Sequence, residues 1–399
     1  MAVSGGAAIA TAMSGEVVVT RSTGSSSLLA IVALLLLAPS RPASGAEVRY
    51  VATEIGNVAG VPAEGRVING VGDVGGWGEL PQADGTTTLR PILSHGGTIE
   101  NLAMVPGSTA GYVRGLNDRG QAALGYDFAG GVGRPYLYNG SGAPLPIALP
   151  AGVTSGLPAA INNLGHVVGT VSSVAGGAGA RPFLYADGVM SVLPLPADAE
   201  RGFGMAVNDR GDVLVDFLIP AARGFTERPA IWSGGTLTDL ATPAGFTYVR
   251  PVDINNLGHV LGKAVLLRAD GNTVGRRPVI YRDGIATVLD SFGTTDSSDG
   301  FNDRDEIVGS GLSLKGYGLL YADGTRTDLS AVVPLPDGFS ITQGLDINNA
   351  GQILARARNA AGDTRTYVLT PVPEPGAAAL ALGAGAWALL RRRKADARP

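Results

Sequence analysis

Few side chains in this 399-residue chain have chemistry to offer, and their spacing says what kind. His166 and His259 each stand four residues after an Asn, in "INNLGHVVG" and "INNLGHVLG". A metal needs several ligands converging on one point. Equivalent positions in successive repeats face different sectors, so both histidines are expected to be structural. His95, beside Gly96 and Gly97, reads as a turn residue. Arg210-Gly211-Asp212 spells an adhesion tripeptide, but the sister copy "LNDRGQ" writes the same turn without the acid. Residues 290–306 concentrate Asp290, Asp296, Asp299, Asp303, Asp305 and Glu306. Calcium takes several oxygens from a short loop; this spacing matches no EF-hand, and a solvated turn is the simpler expectation. Arg90, Arg134, Arg181, Arg228 and Arg277 each precede a Pro at one equivalent position. Pairing with carboxylates of their own repeats is expected; contact with an anionic polysaccharide along one rim is the alternative. No Ser-His-Asp grouping, phosphate-binding glycine loop or paired-carboxylate motif stands out, so no catalytic residue, metal site or cofactor is assigned.

The elements that hold these residues repeat. Asn69, Asn117, Asn162, Asn208, Asn255, Asn302 and Asn348 recur at steps of 48, 45, 46, 47, 47 and 46 residues. A fixed period in that range suits a unit of four short strands. Asn closes a turn onto its own backbone, and a Gly three positions on adopts a left-handed conformation at little cost. Six copies keep that Gly; the seventh has Asp305. A second signature follows each Asn, an apolar and aromatic run such as "RPFLYADG" (181–188) or "RPVIYRDG" (277–284). Its closing Asn-Gly, Asp-Gly or Gly-Gly fits a type I′ hairpin turn. Each unit therefore reads as a four-stranded antiparallel meander, and seven packed radially make a β-propeller over residues 47–371. The last unit ends early, while "VRYVATEIG" (48–56) precedes the first Asn. This N-terminal strand is expected to complete the last blade and close the ring.

Composition agrees. Length alone would allow two or three domains, but 60 Gly with 45% hydrophobic residues fit short strands and tight turns around a packed core. With no Cys there is no disulfide scaffold and no thiolate chemistry.

Both ends lie outside the repeats. Residues 28–38, "LLAIVALLLLA", follow Arg21 and precede the small Ser44 and Ala46. That pattern reads as a secretory signal over residues 1–46, cleaved after Ala46, with Met13 as an alternative start. The C-terminus holds Pro373-Glu374-Pro375, a short apolar span Ala377–Leu390 expected to be a transmembrane helix, and the basic cluster Arg391, Arg392, Arg393 and Lys394. Such a cluster stays on the cytoplasmic side. Both ends are net positive while the whole chain is −4, so the body between them is more acidic than the whole. An acidic body does not attract phosphate backbones, and nucleic acid is not an expected partner.

Residues 372–399 resemble the PEP-CTERM sorting signal of Gram-negative bacteria in carrying Pro-Glu-Pro, a short hydrophobic span and a terminal arginine cluster in that order. The resemblance implies an exosortase-type membrane protease as partner, processing near Pro373–Pro375, transient anchoring in the inner membrane, and delivery to the cell surface or extracellular matrix. Residues 50–370 resemble the bacterial extracellular HAF repeats, whose I-N-N-x-G-x-V-V-G turn precedes an aromatic-apolar strand. Here that strand opens with Arg-Pro where the family often has His-Ala. That family brings no activity with it. The expected function is a non-enzymatic binding or adhesion platform at the cell surface or in an exopolysaccharide matrix, with exopolysaccharide as a candidate ligand. A polysaccharide-active propeller and a matrix protein without a ligand are the alternatives.

Overall fold

The computed structural model describes residues 50–82, 85–173, 179–222, 224–268, 270–289, 297–311 and 316–372. They form seven four-stranded antiparallel sheets, each a blade of a β-propeller. Blade 1 is built from Glu64–Ile68, Val74–Pro81, Thr87–His95 and Thr98–Asn101, and the same inner-to-outer order recurs in blades 2 to 6. Blade 7 takes Ser340–Ile347, Ile353–Arg358 and Thr364–Pro371 from the last repeat, and its fourth strand is Tyr50–Glu54. Tyr50 pairs with Pro371 and Glu54 with Tyr367, so the N-terminal strand closes the ring as the orphan segment predicts. Across this seam Arg365 reaches Glu54 at 3.1 Å and Arg356 reaches Glu64 at 2.6 Å.

The hairpin signature holds in five blades. Asp187-Gly188, Asp283-Gly284, Asp323-Gly324, Gly96-Gly97 and Gly234-Gly235 all have positive φ at both positions, as a type I′ turn demands. Blade 2 departs from it. Asn139-Gly140 does not form that turn; the chain runs on through Ser141–Pro144, and the outermost strand is only Leu145–Pro146. Pro144 has no N–H to give a ladder, which keeps this edge short.

A propeller has no single core. Seven hydrophobic clusters occupy the seven interfaces between adjacent blades, for example Leu214 of blade 4 against Val249, Val260 and Val279 of blade 5. At the seam, Leu345 and Leu354 of blade 7 pack on Ile68, Val74 and Ile92 of blade 1. Each sheet thus buries both faces although it is only four strands wide.

Among the described residues the one α-helix is the single turn Leu329–Val332, and no helix is long and apolar enough to cross a membrane. The expected signal segment 1–46, the sorting residues Pro373, Glu374 and Pro375, the span Ala377–Leu390 and the basic cluster Arg391–Lys394 lie outside the described residues.

Candidate functional site: the central channel

The innermost strand of every blade runs along the propeller axis and ends at the repeat Asn. Those seven Asn residues are buried and do two jobs. Each side-chain oxygen accepts backbone N–H groups of its own turn, as Asn162 Oδ1 does from Leu164 (3.0 Å) and His166 (2.9 Å). Each side-chain amide donates to the backbone carbonyl of the Asn in the next blade. The chain of bonds runs Asn69 to Asn117 (3.0 Å), Asn117 to Asn162 (3.0 Å) and Asn162 to Asn208 (2.7 Å). It continues through Asn208 to Asn255, Asn255 to Asn302 and Asn302 to Asn348 (3.1 Å each), and Asn348 returns to Asn69 (2.8 Å). Sequence alone assigned these residues to turns; that they lock neighbouring blades together is a property of the ring.

A second ring lies one residue further on. Asp118, Asn163, Asp209, Asn256, Asp303 and Asn349 alternate acid and amide, and each accepts the backbone N–H of the preceding blade's equivalent residue at 2.6–2.8 Å. The amides bridge the acids: Asn163 Nδ2 donates to both Asp118 and Asp209 at 3.0 Å. Alternation separates like charges, but a ring of seven cannot alternate throughout. The mismatch falls at the closing seam, where Gly70 supplies no side chain. A Cβ there would stand 2.8 Å from Asp118 Oδ1.

The other candidate residues scatter. His259 Nδ1 meets Asp305 at 2.9 Å, and Arg282 holds the same carboxylate at 2.7 Å. Its counterpart His166 faces Gly211, and its Nδ1 is buried without a partner. His95 ends a strand of blade 1, just before the Gly96-Gly97 turn. Burial opposes its charge, but bonds to Asp73 (2.9 Å) and Glu100 (3.5 Å) raise its pKa above the ordinary value. Asp212 is 9% exposed and bonded to its own Arg210 at 2.7 Å, so the Arg-Gly-Asp triplet is folded into a turn. Of the acidic segment, Asp290 and Asp296 lie outside the described residues. Asp299 is held by Lys263 (3.1 Å), Gln343 (2.9 Å) and Ser297 (2.7 Å), while Glu306 pairs with Arg304 at 2.6 Å. These carboxylates go to different partners, and among the described residues no group of three or more acids or histidines is arranged to hold a metal ion. The Arg-Pro arginines sit on third strands, outside the channel. Arg228 makes a two-pronged bond to Asp198 at 2.9 Å, the expected internal pairing, whereas Arg134 donates to the Thr154 carbonyl instead.

Symmetry breaks where the innermost strands bulge. Every innermost strand carries a β-bulge, seen as a register shift such as Gly65/Val67 in blade 1 and Gly344/Asp346 in blade 7. A bulge bends the strand and re-aims a side chain. The extra residue lies three before the Asn, and all seven such residues line the channel, a space of about 300 Å³. In blade order they are Arg66, Arg114, Ala159, Met205, Val252, Asp299 and Leu345. The Asn three residues on is invariant while this position varies from guanidinium to alkyl to carboxylate; the next position varies as well, from Gly115 to Val67 to Asp253. The bulge also explains the last Gly of the "GHVVG" strand: a Cβ on Gly169 would collide with the Leu157 carbonyl, and one on Gly309 with that of Ser297.

Arg66 and Arg114 stand side by side on blades 1 and 2. Burial, then the neighbouring Arg66 charge, pulls the Arg114 pKa below its ordinary value. Its guanidinium lies 4.9 Å from the centre of the Tyr112 ring, which stacks edge-on with Trp77 at 5.8 Å. Among the described residues neither arginine forms a salt bridge. Two further carboxyls sit back in the channel wall. Burial, then the Asp346 charge, pushes Asp253 up to about 8, and burial pushes Asp346 up to about 6 although it accepts N–H bonds from Ile68 and Ile347 at 2.9 Å. Beyond Arg114, Ala159 and Met205 the channel meets a hollow of about 480 Å³ between blades 3, 4 and 5.

No protein-family model matches the chain, and no curated protein sequence matches it. Solved structures do. The β-propeller domain of the Trilobed protease from Pyrococcus furiosus matches with a TM-score of 0.55 at 10% identity, over 78% of this chain and 94% of that one. Oligogalacturonate lyase from Vibrio parahaemolyticus gives 0.53 at 11% identity, over 83% and 95%. An acylaminoacyl peptidase gives 0.51 at 10% identity, over 81% of this chain and 52% of that one. At such identities the likeness is one of fold alone: this chain is a β-propeller.

Proposed function

We propose that the protein is exported to the cell surface or an exopolysaccharide matrix, sorted by an exosortase-type system, and that its propeller is a non-enzymatic platform for an anionic polysaccharide. The export half rests on the two chain ends described above. The binding half rests on one observation: Arg66 and Arg114 line the channel side by side and, among the described residues, neither is tied up in a salt bridge, although Asp346 lies close enough to feel the Arg66 charge and Asp127 that of Arg114. Guanidinium groups match carboxylate and sulfate geometry.

Titrating the full chain with dextran sulfate, polygalacturonate and neutral dextran tests this. Salt-sensitive binding of the two polyanions, lost in Arg66→Ala/Arg114→Ala and absent for dextran, supports it. Equal binding of dextran, or unchanged binding by the double variant, overturns it. A polysaccharide-cleaving reading draws on one observation, that the acids Asp216 and Glu227 line the same hollow. Arg250 clamps Glu227, with Nε at 2.9 Å, which leaves it a poor base; release of new reducing or unsaturated ends from polygalacturonate would favour that reading.

A further inference from the structure

Asp216 is an anomalous polar group. It is 6% exposed, its Oδ1 has no hydrogen-bond partner, and it lines the hollow that opens from the channel. A buried polar atom without a partner is rare in folded proteins. By contrast the buried repeat asparagines are bonded through both side-chain atoms, as Asn162 shows.

We propose that the hollow between blades 3, 4 and 5 is a subsite for a carboxylated sugar ring, in which the Asp216 carboxyl donates a hydrogen bond to the ligand carboxylate and Arg114 supplies the opposing charge across the lumen. The assignment rests on the polyanion-binding reading and names its ligand class. Phe203 lies opposite Asp216 in strand register, and Leu157, Pro158 and Leu218 complete a mostly apolar wall. Such a surface with a few convergent polar groups suits the C–H face of a pyranose.

The surroundings of Asp216 favour its neutral form. Burial, then the adjacent Glu227 charge, pushes its carboxyl up to about 8, with Arg250 opposing. On its own blade, Arg201 is turned away to Glu200 (3.5 Å) and the Phe225 ring (5.3 Å). From blade 5 come Arg250, committed to Glu227, and Tyr248, which also feels Arg276. Blade 3 presents Leu157, Pro158, Ala159 and Thr170, none of which titrates. Arg114 is therefore the cation left for a ligand. A protonated carboxyl donates one O–H bond and a carboxylate ligand accepts it; once Asp216 ionises, the two anions repel.

The experiment is calorimetric titration of the full chain with trigalacturonate and with dextran sulfate between pH 6 and pH 9. Wild-type affinity for trigalacturonate is expected to fall at least tenfold over that range. In Asp216→Asn, whose amide is neutral throughout, that fall disappears. Dextran sulfate, held by Arg66 and Arg114, keeps its affinity in both proteins at both pH values. Trigalacturonate binding that is independent of pH, that keeps its fall in Asp216→Asn, or that is absent while dextran sulfate binds overturns the subsite and leaves polyanion binding standing. Failure of both ligands to bind overturns both.

Discussion

The side-chain amide of Asn348 donates to the backbone carbonyl of Asn69 at 2.8 Å, joining residues 279 positions apart in the chain. It is the last bond of a sevenfold ring. Its six counterparts link blades already adjacent in sequence, whereas this one joins the last repeat to the first.

Replacing Asn348 by Ala removes this bond, a second from Nδ2 to Gln352 (2.8 Å), and the acceptor for the N–H groups of Ala350 (3.0 Å) and Gln352 (2.9 Å). Buried partners left without bonds cost about 2–4 kcal/mol together. The measurement is urea denaturation of Asn348→Ala; a loss under about 1 kcal/mol would show that the ring is decorative.

Deleting Tyr50–Glu54 strips the outer strand from blade 7 and bares the edge of Thr364–Pro371. Exposed edges pair with other chains. Gel filtration is expected to show oligomers, and the melting curve should broaden as the ring loses closure. A monomeric deletion variant with the parent's sharp transition would contradict ring closure as the source of cooperativity.

Gly211→Asp tests whether the His259–Asp305 pair is portable. Gly211 has φ +82° and Asp305 manages φ +58°, so an Asp in that turn is tolerable. The new carboxylate would face the unpartnered Nδ1 of His166. The new carboxylate would accept a hydrogen bond from the ring N–H, so the His166 ring proton should exchange slowly with solvent, readable by proton NMR. A ring proton that exchanges as fast as in the parent would mean that the two groups do not meet.

Asp216→Asn should stabilise the fold at neutral pH. The native carboxyl keeps its proton up to about 8, whereas in the unfolded chain it releases it near the ordinary carboxylate value. Native stability therefore falls as pH rises between those limits. The variant escapes that loss and should gain on the order of 2–4 kcal/mol at pH 7.5 with no gain near pH 4. Asp253 and Asp346 have the same sign of shift, so the slope is reduced and not abolished. Equal gains at both pH values would mean that Asp216 is ionised in the native state.

Much of the fold was legible because its signals are local. The N-x-x-G turn and the Asp-Gly hairpin are dictated by residues that accept particular φ values, and Asp187-Gly188 or Asp283-Gly284 behave as their types require. Asn139-Gly140 shows the limit: the same dipeptide opens a longer loop because Ser141–Pro144 follow it. The site was less legible. The variation at Arg66, Arg114, Ala159, Met205, Val252, Asp299 and Leu345 is plain in the aligned repeats, but a bulge leaves no sequence signature, so nothing marks that position as facing the lumen. Asp216 and Glu227 lie in adjacent strands, yet their meeting with Arg250 and Arg114 needs blades 2, 4 and 5 placed around one axis.

The amino-acid order by itself determined the repeat, its four strands, its turns and the orphan strand that closes the circle, because each follows from short-range backbone preference and a fixed period. The tertiary structure alone decided which residues face the channel, how the asparagines bond from blade to blade, and where a neutral acid and unpaired guanidinium groups gather. Those are distances between residues far apart in the chain, set by how seven sheets pack, and no local preference encodes them.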